Sequence, residues 1–235
     1  YHRSKSGGGS WEYNKKLPDA WQIKYKNLTF NVKPMGFKHT GIFPEQAVNW
    51  DFIDEKIKSA NRDIKVLNLF AYTGGATVAA AKAGASVVHV DAAKGMVLWA
   101  KENAVSSGLA DAPIRYIVDD VIKFVCREIR RGNKYDAIIM DPPTYGRGPN
   151  GEVWKFENEL YPLIEKCMSL LSDNPLFMIV NSYTSNVSST VVKNVLELSA
   201  KAKFGGYVTN DEIAIPVKNS GICLPCGAAT RWISK

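Results

Sequence analysis

Four turns along residues 64–145 carry side chains suited to chemistry, one after each of four successive apolar runs. The first reads Asn68-Leu69-Phe70-Ala71-Tyr72-Thr73-Gly74-Gly75 and follows the apolar run Ile64–Phe70. Small residues after a buried strand let the backbone approach a ligand at a helix N-terminus, although a tight helix-packing turn with no ligand would read the same. Asp91, followed by Ala92, ends a second run seventeen residues after Gly74. A carboxylate at that place is positioned to accept hydrogen bonds from both hydroxyls of a ribose, with an ordinary surface aspartate as the alternative. Asp119-Asp120 ends the third run, and Asp141-Pro142-Pro143-Thr144-Tyr145 the fourth. There a carboxylate and an aromatic ring flank two prolines, which make the loop rigid at little entropic cost. Each signal is weak alone, and the four in this order reinforce one another.

The elements that must position these residues are legible as an alternation. Short β-rich runs at Ile64–Phe70, Ser86–Val90, Ile114–Val118, Ala137–Met140 and Leu176–Val180 are separated by helical patterns over about 75–84, 93–108, 120–131 and 157–172. Such alternation implies parallel strands joined by right-handed helical crossovers, with ligands at the carboxyl ends of the strands. The tail, Tyr207–Ile215 and Ala229–Ile233, has no helix between its strands and reads as a closing antiparallel hairpin. Ahead of the main unit, Trp21–Tyr25 and Leu28–Val32 alternate apolar and polar residues around Lys26-Asn27, which predicts a β-hairpin. Gly7-Gly8-Gly9-Ser10 has the composition of a linker and is taken as native loop.

At 235 residues the chain can bury one sizeable core. Its net charge is +7, and residues 1–40 hold eight basic side chains against Glu12 and Asp19. Interleaved with Trp11, Tyr13, Trp21 and Tyr25, these bases suit a nucleic-acid partner, and a solvated basic face explains them equally well. Four cysteines are too few for a disulfide scaffold, and neither a leader nor an apolar run of eighteen residues occurs, so a cytoplasmic setting without membrane contact is expected. Cys223 and Cys226 form one C-x-x-C pair without a second, and no metal is expected. Nothing in the sequence sets an oligomeric state.

Phe70 and Tyr72 stand where a dinucleotide fingerprint would want glycine, which counts against NAD. The chain instead resembles the class I S-adenosylmethionine-dependent methyltransferases, and within them the bacterial ribosomal-RNA large-subunit methyltransferase-like group. Leu67–Gly75, Asp141–Gly148 and His39-Thr40-Gly41-Ile42-Phe43-Pro44-Glu45-Gln46 carry the resemblance. It implies a Rossmann-like, doubly wound, seven-stranded sheet, with residues 1–50 as a hairpin-bearing, cofactor-covering extension and 51–235 as the methyltransferase domain. S-adenosylmethionine would be the cofactor. Asn68, Phe70, Ala71, Tyr72, Thr73, Gly74 and Gly75 would cradle its methionine part, with Asp91 and Ala92 at the ribose. Asp120 would face the adenine, Asp119 would stand beside it, and Phe43 and Gln46 would lie over the cofactor.

The loop Asp141-Pro142-Pro143-Thr144-Tyr145 resembles that of enzymes methylating planar amino groups. There the carboxylate and a proline carbonyl accept hydrogen bonds from the amine while the aromatic ring stacks on the base. Beyond it, Arg147, the glycine-rich Gly146–Gly151, Trp154 and Lys155 suggest a phosphate-binding loop or lid. Methylation at cytosine carbon 5 needs a nucleophilic cysteine; the place just after the fifth strand, where the resembled group carries one, reads Asn181-Ser182-Tyr183-Thr184. The expectation is therefore methylation of an RNA base at nitrogen. The alternatives are a small-molecule or protein methyltransferase, a non-catalytic RNA-binding module and, less consistently, a nicotinamide-dependent oxidoreductase.

Overall fold

The computed structural model describes residues 1–4, 8–36, 38–147, 151, 153–183 and 186–235, with Arg147 as backbone alone. In chain order it contains β1 (His2–Arg3), β2 (Gly9–Ser10), β3 (Trp21–Tyr25), β4 (Leu28–Val32), α1 (Ala47–Ser59), β5 (Lys65–Leu69), α2 (Gly75–Lys82), β6 (Ser86–Asp91), α3 (Lys94–Ser106) and β7 (Ile114–Val118). There follow α4 (Val121–Arg130), β8 (Ala137–Met140), β9 (Tyr145–Arg147), β10 (Val153–Lys155), α5 (Phe156–Met168), β11 (Phe177–Ser182), α6 (Ser189–Leu196), a π-helical turn at Glu197–Lys201, α7 (Ala202–Phe204), β12 (Tyr207–Pro216) and β13 (Cys223–Ile233).

Seven strands form one sheet in the order β12-β13-β11-β8-β5-β6-β7, with β13 antiparallel to both of its neighbours and the other pairings parallel. This is the doubly wound seven-stranded architecture expected. The chain runs outward from β5 through β6 to β7, then returns to β8, so strand order reverses between β5 and β8. Ligands of such sheets bind outside the carboxyl ends at that point.

Alternate residues of the central strands feed opposite faces. Leu67, Leu69, Ile138 and Met140 pack with Phe124, Leu163 and Leu196 from α4, α5 and α6. Val66, Ala137, Ile139 and Ile179 pack with Ile53, Ile57 and Ala80 from α1 and α2. With helices covering both faces, these strands are apolar on both sides, as parallel sheets require.

The β3–β4 hairpin forms as expected, with Lys26 in the left-handed conformation at its turn (φ 51°). Its open edge is closed by one face of α3. Thr29 N–H donates to Ser107 Oγ at 2.9 Å, and Asn31 N–H to Asn103 Oδ1 at 2.8 Å. Trp99 Nε1 donates to the Asn31 carbonyl at 2.9 Å. Side chains thereby satisfy backbone groups that an edge strand would otherwise leave open to pairing with another chain. Phe30 stacks on Trp50 of α1 at 4.9 Å between ring centroids, which ties the first fifty residues into the body of the molecule.

Gly9 and Ser10 pair with Arg3 and His2 rather than forming a free linker, and Gly7 lies outside the described residues. Two helical segments not anticipated from the sequence, α1 and α6, complete the layers. Asn103 is the central tie of the hairpin, since its Nδ2 also donates to the Thr73 carbonyl at 2.8 Å. Asn103→Ala is expected to lower unfolding free energy by about 1–3 kcal/mol, because it strands the buried Thr73 carbonyl and the part-buried Asn31 N–H. Urea denaturation measures it, and a change indistinguishable from zero would show that the hairpin is held without Asn103.

Candidate functional site

The turn after β5 is built from left-handed backbone. Phe70 (φ 54°), Tyr72 (φ 49°) and Gly74 (φ 82°) alternate with right-sided residues, an arrangement that is sterically costly for the two aromatic residues. Asp91, at the end of β6, holds it. Its Oδ2 accepts the Tyr72 N–H and its Oδ1 the Ala93 N–H, both at 2.8 Å. Burial pushes the Asp91 carboxyl upward while these two amides pull it down, and the net direction is up. Beneath the turn, Asn68 Nδ2 donates to Thr77 Oγ1 at 2.9 Å, and Thr77 Oγ1 meets His89 Nδ1 at 2.9 Å. Burial lowers His89 to about 3, so this histidine stays neutral. Gly74 is glycine for packing as well as conformation, since a Cβ there would lie 2.8 Å from that of Ala100. At Gly75 a Cβ would lie 3.0 Å from the Trp50 ring.

Outside this turn, at the switch point, lies a cavity of about 660 Å³, a size usual for small-molecule sites. Its lining includes Phe70, Tyr72, Asp91, Ala92 and Asp120, from the turns after β5, β6 and β7, and Asp141, Pro142, Pro143, Trp154 and Tyr183, from the segments after β8 and β11. A smaller recess of about 50 Å³ adjoins it and takes in Gln46, Asn68, Ala71, Thr73 and Gly75. Asp120 also caps α4, its Oδ1 accepting the Lys123 N–H at 2.9 Å. Asp119 is not brought to the cavity. Its carboxylate pairs with Arg127 and accepts the Asp120 N–H, so it anchors the loop.

The segment expected to cover the site does reach it. Thr73 Oγ1 donates to the Gly41 carbonyl at 2.6 Å, and Gly41 (φ 92°) lies so close to Trp99 that a Cβ would be 2.3 Å from its ring. Phe43 then sits 5.1 Å from His39, 5.5 Å from Tyr72 and 6.3 Å from Tyr183 between ring centroids.

Asp141 lies half-buried in the cavity wall, and among the described residues no donor reaches its carboxylate. Burial, with a smaller contribution from the charge of Glu45, pushes its pKa up to about 7. The Pro143 carbonyl already accepts from Trp154 Nε1 at 2.6 Å, and the Pro142 carbonyl, to which no described residue donates, is the freer candidate acceptor. Tyr145 is 52% exposed on β9 and does not line the cavity. Trp154, on the paired strand β10 and 4.9 Å from Phe70, stands there instead. Much of the glycine-rich stretch, from Gly148 to Asn150, lies outside the described residues, as does Thr184.

Sequence reasoning missed Tyr183 as a cavity residue and gave His39 no role of its own, whereas Trp154, expected in a phosphate-binding loop or lid, lines the cavity. Tyr183 had an available signal, since it directly follows the fifth central strand, where carbon-5 chemistry would need a cysteine. Of the four cysteines, Cys226 comes nearest the site. It is the extra residue where β13 bulges against β12, between the pairs Gly227↔Ile213 and Pro225↔Ala214. Burial, then the charge of Glu45, pushes its thiol upward, away from the thiolate that attack on a ring would need.

The environment of Asp141 makes a prediction. Between pH 4 and 7 the unfolded chain has lost a proton that the folded chain retains at this carboxyl, so the stability of the wild type must fall across that window relative to Asp141→Asn. Above pH 7 the difference should level off. Chemical denaturation of both proteins from pH 4 to 8 tests it, and parallel stability curves would put the Asp141 carboxyl in an ordinary, well-solvated environment.

A family model described as S-adenosylmethionine-dependent methyltransferase matches residues 2–167. The ribosomal RNA large subunit methyltransferase K/L of Shewanella frigidimarina (strain NCIMB 400) is 31% identical over 205 residues, 86% of this chain and 26% of that protein. The chain thus spans about a quarter of the length of that curated relative. Among solved structures, a SAM-dependent methyltransferase from Agrobacterium tumefaciens superposes with TM-score 0.93 at 37% identity, covering 99% of this chain and 76% of that one. A methyltransferase solved with SAH superposes with TM-score 0.75 at 26% identity over 94% of this chain and 58% of the other. With its sheet order and switch-point cavity, the chain belongs to the S-adenosylmethionine-dependent methyltransferase family.

Proposed function

We propose that the chain carries a methyl group from S-adenosylmethionine to a nitrogen of a base in RNA, with residues 1–50 as a covering extension and 51–235 as the catalytic domain. The observation that carries this reading is the cavity itself, which joins the Asp91 end of β6 to the Asp141-Pro142-Pro143 loop after β8. The bound cofactor would supply a methyl on a sulfonium, already activated for transfer, so the protein's part is alignment and electrostatics. The residues fit such a group. Asp91, fixed by two backbone amides, would take the ribose hydroxyls. Asn68, Phe70, Ala71, Tyr72, Thr73, Gly74 and Gly75 would form the floor under the methionine part, and Asp120 would face the adenine. Phe43 and Gln46 would cover it. Carboxyls of Glu45, Asp91, Asp120 and Asp141 in and around the cavity suit a cationic ligand.

On the acceptor side, Asp141 and the Pro142 carbonyl would take hydrogen bonds from the amine, while Trp154 and Phe43 offer aromatic faces. Nitrogen is favoured over carbon 5 because Asn181-Ser182-Tyr183-Thr184, at the end of the fifth central strand, offers no cysteine, and Cys226 sits instead in the bulge of β13. RNA rests on the resemblance to the ribosomal RNA methyltransferase of Shewanella and on the basic first forty residues. The aromatic residues of that arm contribute less than the sequence suggests. Trp11 donates its Nε1 to the Met35 carbonyl and Tyr25 its hydroxyl to Asp51, which leaves Tyr13 as the well-exposed one. A cytoplasmic, reducing setting goes with the proposal, since all four cysteines are free.

Calorimetric titration with S-adenosylmethionine, S-adenosylhomocysteine and NAD in parallel should give micromolar binding of the first two and none of the third. Binding of NAD alone would refute the proposal. Asp91→Ala should weaken S-adenosylhomocysteine binding by about 1.5–3 kcal/mol, the worth of charge-assisted hydrogen bonds; unchanged affinity would move the ribose elsewhere. Asp141→Ala should abolish transfer to an unmodified large-subunit rRNA transcript while nearly preserving cofactor affinity. Equal loss of both would reassign Asp141 to the cofactor.

A further inference from the structure

Behind the acceptor end of the cavity runs a chain of amides that begins at a cation. Arg231, on β13, is 12% exposed at its side chain and paired with Asp211 at 3.0 Å. Its Nε and Nη2 both donate to Asn49 Oδ1, at 2.9 and 2.7 Å. A guanidinium has five donors and no acceptor, so Asn49 must present its oxygen to Arg231 and its nitrogen to the other side. From there Asn49 Nδ2 donates to Gln46 Oε1 at 2.8 Å and to Asn181 Oδ1 at 3.0 Å. Gln46 Oε1 takes a second bond from Asn181 Nδ2 at 3.3 Å. That fixes Gln46 in turn, and its Nε2 donates to the Tyr183 hydroxyl at 2.5 Å. Asn49, Gln46 and Asn181 are all buried, so a reversed amide anywhere in the chain would set donor against donor or acceptor against acceptor where water cannot compensate.

The direction of the chain has a consequence at its end. Tyr183 has one hydroxyl hydrogen, and Gln46 occupies the oxygen as a donor. Among the described residues no acceptor takes that hydrogen, and Tyr183 lines the same cavity as Asp141. We infer that Tyr183 is a specificity-determining residue of the acceptor site, its hydroxyl donating to an unprotonated ring nitrogen or carbonyl oxygen of the base whose amine Asp141 accepts. Arg231, Asn49 and Gln46 are positioning residues that orient this donor. The inference rests on the reading of the cavity as a base-methylating site, and refines it: the site reads a donor and an acceptor together on one edge of an amino-bearing base. Burial first, and then the charge of Asp141, push the Tyr183 phenol upward, so it keeps its hydrogen throughout the neutral range.

Neutron diffraction from crystals of the perdeuterated chain reads the geometry without any substrate. The Tyr183 deuteron is expected to point into the cavity, with the Gln46 amide deuterons on the tyrosine oxygen. A Tyr183 deuteron on Gln46 would overturn the inference. In solution, Tyr183→Phe is expected to lower kcat/KM for an unmodified large-subunit rRNA transcript about tenfold, the worth of one hydrogen bond, with unchanged affinity for S-adenosylhomocysteine. Gln46→Glu, which would draw the phenol hydrogen to itself, should lower kcat/KM likewise although the hydroxyl remains, and Arg231→Lys, which keeps a donor-only cation, should retain more activity than Arg231→Gln. Unchanged kcat/KM in Tyr183→Phe would overturn the assignment. A wild-type protein that binds S-adenosylhomocysteine but methylates no RNA would remove the RNA reading, and the deuteron position would still decide the role of Tyr183.

Discussion

The Asp91 carboxylate, bonded to the backbone N–H groups of Tyr72 and Ala93, is the constraint on which the site depends. Two bulky residues, Phe70 and Tyr72, adopt left-handed backbone in the turn above it, at a cost of roughly 1–2 kcal/mol each. Such a conformation persists only where the surroundings over-determine it. Here they do. Asp91 fixes the Tyr72 amide, Gly41 takes the Thr73 hydroxyl, Asn103 takes the Thr73 carbonyl, and Ala100 leaves room only for glycine at 74. A cavity floor locked in this way needs little reordering when a ligand arrives, so less of the binding free energy is lost to entropy.

The same contacts explain why the first fifty residues matter to a site formed by the sheet. The hairpin is joined to α3 through Asn31, and α3 carries Asn103, which reaches the strained turn. From the hairpin the chain passes Gly41, pressed against Trp99, and delivers Phe43 and Gln46 over the cavity and the adjoining recess. α1 begins at Ala47 and runs on past residue 50, so one helix crosses the boundary expected from the sequence. Much of the aromatic content of the basic arm is thereby accounted for by packing, in Trp11 on Met35 and Tyr25 on Asp51 and Trp50.

Most of the architecture was legible because parallel strands buried on both faces leave continuous apolar runs, and because polar turns at their carboxyl ends are needed whatever the ligand. The five central strands fall within a few residues of their expected limits. The first helix was less visible. Its apolar positions Trp50, Ile53 and Ile57 have helical spacing, but they follow the buried polar residues Gln46 and Asn49, whose reason lies 132 residues away at Asn181. Side-chain direction was the other blind spot. Asp119 and Asp120 are neighbours of identical chemistry, and only the pairing of the first with Arg127 shows which one faces the cavity. Likewise Tyr145 follows the two prolines in sequence, yet the β9–β10 hairpin turns it outward and brings Trp154 in.

Two carboxylates of one cavity are therefore held in opposite ways. Asp91 is spent on backbone amides and serves as a fixed part of the wall, with its remaining lone pairs turned to whatever lies beside it. Asp141 receives no hydrogen bond from the described residues, and its burial makes the bare ion costly. Half-buried and open to the cavity, its oxygens are left to water in the empty protein, and a ligand that displaces this water must supply a donor in its place. The loop prolines restrict the backbone on which Asp141 sits and so hold its carboxylate in the cavity wall. A carboxylate kept this way discriminates by need. A ligand presenting an amine replaces the hydrogen bonds of the displaced water, whereas a ligand of the same shape without a donor leaves the carboxylate dry and unpaired.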